Sequence, residues 1–118
     1  MKSFIISISI IATLLILLTI NSICIINTTE KLALTIEGLT LEDFDRMNEL
    51  NNMWEKKKFF ISMSSSDKEI DRIDELISIL DGKIQNGIQT DFEETKIYLI
   101  KYIEIIQEHE KITLNNLL

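Results

Sequence analysis

FIISISIIATLLILLTINSICII, residues 4 to 26, runs for 23 positions without a charged side chain. As a helix rising 1.5 Å per residue it covers about 34 Å, enough for the hydrocarbon core of a bilayer. Ser7, Ser9, Thr13 and Thr19 can return their hydroxyls to the helix's own carbonyls, so they do not interrupt it. The segment is expected to cross a membrane uncleaved. A cleaved signal has a shorter apolar core and a small-x-small site. A lipoprotein signal places a small residue before its cysteine, whereas Ile23 precedes Cys24. A pilin-type leader would show a processing glycine before the apolar run and an acidic residue just inside it, and this run has neither.

Outward from that run the chain divides into a short start, residues 1–3, the span at 4–26 and an acidic remainder at 27–118. Lys2 is the one charged side chain before Glu30. Positive charge retained on the cytoplasmic side therefore puts the start inside the cell and the remainder outside. Net charge is −7, from twelve basic and nineteen acidic residues, which argues against nucleic acid as a partner. Zero proline and three glycines favour helix over a turn-rich β fold. The single cysteine, Cys24, lies in the apolar run and leaves the remainder without a disulfide.

Leu32, Ile36 and Leu39 continue at helical spacing beyond the span, so the first helix is expected to run on toward Gly38. Thr40 is then expected to cap a second helix, with Glu42, Asp43 and Asp45 at its positive end and Met47, Leu50, Trp54 and Ile61 as its buried stripe. Ser66-Asp67-Lys68-Glu69 forms a capping box ahead of Ile70, Ile73, Ile77, Leu80 and Ile84, and Asn86-Gly87 supplies a left-handed stop. Burying those five side chains is worth roughly 8 to 15 kcal/mol before entropy. Thr90-Asp91-Phe92-Glu93 repeats the box for a fourth helix ending near His109, with Phe92, Leu99, Tyr102, Ile103 and Ile106 inward. Leu114, Leu117 and Leu118 are expected to close the bottom of the bundle. The fold class is thus all-α: an N-terminal transmembrane helix followed by a small antiparallel bundle of three to four helices.

No catalytic, metal or cofactor constellation emerges. His109 between Glu108 and Glu110 lacks a second histidine or a soluble cysteine for a zinc site. Asp67, Asp71, Asp74 and Glu75 lack the glycine-bearing loop of a calcium site and read as a solvated face. Trp54-Glu55-Lys56-Lys57-Lys58-Phe59-Phe60 mixes cations with aromatics, as suits anionic headgroups or a wall polymer. The three lysines fan over roughly 200° of the helix and make no single patch, which favours a core tryptophan with lysines snorkelling around it.

The order of features resembles a family of small single-span proteins from spore-forming Gram-positive bacteria, a domain of unknown function (DUF forty-three sixty-three). The resemblance rests on the apolar anchor, Trp54 followed by Lys56, Lys57 and Lys58, the element Glu69, Ile70 and Asp71, and the ending Asn116, Leu117 and Leu118. Members carry a histidine just before the acidic element where this chain has Asp67, so a role for that histidine does not carry over. The resemblance implies an anchored helical domain and brings no activity. The expected function is a noncatalytic membrane-anchored bundle that scaffolds or binds another envelope protein. The alternatives are a ligand sensor with a pocket between helices two to four, or a holin-like membrane-disrupting protein. The lipid bilayer, met through Phe4 to Ile26, is the one partner the residues name; oligomeric state stays open, since the span lacks a Gly-x-x-x-Gly pattern.

Overall fold

The apolar run does not stop where its charges begin. In the computed structural model, which describes residues 1–117, one unbroken helix α1 extends over Lys2–Glu37 and carries both the apolar run and the first element of the bundle. Three more helices follow: α2 (Phe44–Ser62), α3 (Asp67–Asn86) and α4 (Phe92–Leu117). α1 packs on α2 and most extensively on α4, while α3 closes the ring between them. The result is an up-down-up-down four-helix bundle built around the second half of α1, 67 Å long and 22 Å across, with the apolar half of α1 projecting from one end.

Ser22, Ile25, Thr29, Leu32 and Ile36 form the buried face of α1 at intervals of three and four. The bundle thus begins at Ser22, inside the 4–26 run, while all residues from Lys2 to Leu18 are exposed. Among them Ser7 and Thr13, and Thr19 beside them, donate their hydroxyls to carbonyls four residues back, at 2.8–2.9 Å. Met47, Leu50, Trp54 and Ile61 of α2 meet Ile70, Ile73, Leu76, Ile77, Leu80 and Ile84 of α3 and Phe92, Leu99, Ile103 and Ile106 of α4 in one core.

The ends of the helices follow the expected pattern only in part. Ser66 Oγ accepts from the Glu69 amide at 3.3 Å, and Gly87 stops α3 in the left-handed region at φ 62°. A Cβ at Gly87 would meet nothing within 4 Å, so the glycine is there for its backbone alone. Gly87→Ala is therefore expected to cost about 1 to 2 kcal/mol, measured by urea unfolding in detergent.

Thr40 does not cap α2. The helix starts at Phe44, and Asp43 Oδ2 instead accepts from the Thr40 amide at 2.9 Å and the Thr40 hydroxyl at 3.0 Å, fixing the loop before the helix. The Thr40 amide bond first, and the hydroxyl bond second, hold the Asp43 carboxyl below its ordinary 3.8. A lowered carboxyl stabilises the fold above its unfolded value, and that support disappears as pH falls through the lower folded value. Thr90 makes no box either: Asp91 sits at φ 59°, a left-handed geometry that aspartate tolerates, and its carbonyl starts α4 by accepting from Thr95. α4 does not end near His109 but runs to Leu117, because the inward phase continues through Glu110 to half-buried Leu114 and Leu117. Leu118 lies outside the described residues.

Candidate functional site

Buried Thr29 and Thr95 return their hydroxyls to nearby carbonyls of their own segments, whereas Trp54, Lys96 and Glu110 enter the bundle and are held by groups from elsewhere in the chain. Trp54 is 1% exposed, and its indole N–H donates to Asp74 Oδ1 at 2.6 Å. One helical turn on, Lys58 Nζ meets Asp74 Oδ2 at 2.7 Å. Asp74 thus clamps two residues of α2 to α3. The hydrogen bond to Asp74 raises the Lys58 ammonium above its ordinary 10.5, so its support is complete below that value and is lost as pH rises through the higher folded one.

Lys96 of α4 is the second. Its ammonium donates to the Glu37 carbonyl at 3.1 Å and the Leu39 carbonyl at 2.8 Å, lies 3.4 Å from Glu93 and sits 5.5 Å above the Phe92 ring. The Glu37 carbonyl ends α1 and that of Leu39 follows just after its cap, where backbone acceptors have no helical partner and the helix dipole favours a cation. Lys96→Met is expected to cost about 2 to 4 kcal/mol, seen as faster amide exchange in the last turn of α1, while exposed Lys101→Met changes little.

Glu110 is the third. At 1% exposure its Oε2 accepts from Ser22 Oγ at 2.9 Å and its Oε1 from Ser64 Oγ. One carboxyl therefore joins α1, the α2–α3 turn and α4 at the end of the bundle from which the apolar helix emerges. Ser65 Oγ, in the same turn, is buried and has no hydrogen-bond partner among the described residues.

The residues singled out by sequence fall in different places. Trp54 and Lys58 belong to the Asp74 clamp, whereas Lys56 and Lys57 are exposed. Ile70 is core, Glu69 gives its backbone amide to the cap and Asp71 is exposed. Asn116 is exposed near the end of α4, well away from that element. The motif positions thus share no pocket. His109 is exposed, and among the described residues no three His, Cys, Asp or Glu side chains are placed to hold a metal ion.

Two surface features remain. A concavity of about 300 Å³ lies between α1 and the end of α2, lined by Leu17, Ile20, Cys24, Phe60 and Ile61 with Asn21, Thr28 and Lys57 at its margin. It is apolar, and it lies beside the projecting helix instead of between helices two to four. On the outer face of α4, Tyr98, Ile105 and Ile112 recur every seventh residue with Ile97 beside them, each 42–63% exposed. Leucine or isoleucine in such a row, away from any core, marks a surface for contact.

α1 is the one helix among the described residues long and apolar enough to cross a membrane. Comparison with family models, curated proteins and solved structures finds no match to the chain.

Proposed function

We propose that the protein is a single-pass membrane protein whose bundle, standing outside the cytoplasm, serves noncatalytically as a scaffold or docking platform for another envelope protein. The observation that carries this reading is the continuity of α1. A helix unbroken from Lys2 to Glu37 contributes its first half to the bilayer and its second half to the bundle core, so the bundle has no flexible tether. Such a rigid mount holds the outer face of α4 at a set height and angle to the membrane. The Tyr98, Ile105 and Ile112 row supplies the surface a partner would cover.

A photo-crosslinking side chain at position 105, followed by mild detergent extraction from native membranes, tests the platform. A discrete adduct that disappears with Tyr98→Lys and Ile112→Lys supports it. A monodisperse, adduct-free protein across several growth states would count decisively against it. Sidedness is tested separately: Lys101→Cys in a Cys24→Ser background should react with an impermeant thiol reagent on intact cells.

A further inference from the structure

We infer that the base of the bundle is itself immersed in lipid, forming a collar around α1 whose Lys56 and Lys57 bind the phosphates of anionic phospholipids. The inference rests on the reading of α1 as a membrane span and goes beyond it by naming a second contact with the bilayer.

Length is the first argument. The fully free part of α1 runs from Phe4 to Leu18, because Thr19 and Asn21 are half-covered and Ser22 is buried against Glu110. Fifteen residues rise only about 22 Å, against a hydrocarbon core of about 30 Å. A bilayer of ordinary thickness must therefore reach past Ser22 and meet the bundle's lower end. α4 lengthens the overlap, since it continues seven residues beyond Glu110, about 10 Å farther toward the start of α1.

What lies at that level is suited to lipid. Phe59, Phe60 and Met63 at the end of α2 are 64%, 48% and 64% exposed. The two phenyl rings meet edge to face at 5.8 Å. Phe60 also walls the apolar groove of about 300 Å³ beside Leu17 and Ile20. In water these side chains form an unfavourable patch; in the outer few ångströms of a leaflet they continue the apolar surface of α1.

Charge supplies the headgroup. From Lys56 to Ser66 the chain has three lysines and no carboxylate, in a protein that is otherwise acidic. Lys58 is taken up by Asp74, while Lys56 and Lys57 are exposed and form no ion pair among the described residues. Lys57 stands at the margin of the groove, where its aliphatic stem can lie along apolar wall and its ammonium can reach a phosphate.

The test uses the full chain in vesicles of equal phosphatidylcholine and phosphatidylglycerol. Nitroxide labels replace Leu15, Met63 or Lys101, one at a time, in a Cys24→Ser background. Relaxation by oxygen against a water-soluble nickel chelate gives each label's depth. The expected result is hydrocarbon at positions 15 and 63 and water at 101. Hydrocarbon at 15 with water at 63 overturns the collar and leaves the span; water at both overturns the span as well. For the headgroup, lipids retained through detergent extraction should favour phosphatidylglycerol, and Lys56→Gln with Lys57→Gln should lower that preference by roughly 5-fold per lysine. Equal retention of both lipids by the unsubstituted protein overturns the anionic part.

Discussion

Trp54→Ala is expected to destabilise the bundle by about 3 to 5 kcal/mol, enough to unfold much of the population of a domain whose total stability is about 5 to 15 kcal/mol. Two losses combine. Removing a fully buried indole leaves a cavity among Met47, Leu50 and the α3 stripe, and Asp74 loses its 2.6 Å donor. Lys58 still pairs with Asp74, so the carboxyl is not stranded, and most of the cost is packing. Trp54→Phe separates the terms: it keeps most of the apolar volume and removes the N–H, with an expected cost of about 1.5 to 3 kcal/mol. Urea unfolding in detergent, followed by amide exchange along α3, measures both. Equal stability of the phenylalanine variant and the unsubstituted protein would show that Asp74 takes nothing from the indole. In either variant α1 should remain helical, since its apolar half takes no part in the core.

That clamp also shows which features could be read from residues alone. The α3 helix was legible from end to end because its signals are local: a serine cap, a stripe at intervals of three and four, and a glycine stop all lie within one segment. The continuation of α1 through Leu32, Ile36 and Leu39 was legible for the same reason. Thr40 and Thr90 misled because a hydroxyl and a carboxyl three residues apart satisfy each other in more than one way. Asp43 turned back to Thr40, and at Thr90 it is the backbone carbonyl that is used, accepting from Lys83. Lys96 and Glu110 were missed although their positions signal them. Each falls on the inward phase of α4, in the series Phe92, Lys96, Leu99, Ile103, Ile106 and Glu110. A charge at a core phase is as informative as an apolar residue there, since burial requires a partner. The partners of Lys96 and Glu110 on other elements are 46 to 88 residues away in the chain, and no local pattern names them. The long extent of α4 follows from the same point: ending it at His109 excludes the very residue that ties its lower half to α1.

Ser22→Ala combined with Ser64→Ala is expected to cost about 3 to 5 kcal/mol, although the two changes remove only two oxygen atoms. Both hydroxyls donate to the Glu110 carboxyl, which has no cation beside it among the described residues and no access to water at 1% exposure. Without them the carboxyl stays buried with its acceptors empty, and the penalty of an unpaired polar group falls in full. The decisive comparison is the triple variant that adds Glu110→Leu. An apolar side chain of similar size leaves nothing unpaired, so the triple should recover to within about 1 kcal/mol of the unsubstituted protein, and be more stable than the double. Emission from buried Trp54 during urea unfolding reads all three. A triple no more stable than the double would mean that the cost arose from lost packing at Ser22 and Ser64. Recovery carries a further consequence for the collar. Glu110 sits where α1 leaves the bundle, so a leucine there removes the buried carboxylate from the base while keeping α4 seated on α1. A nitroxide at position 63 should then lie as deep as in the unsubstituted protein or deeper, whereas in the serine double variant the loosened α4 should let it return toward water.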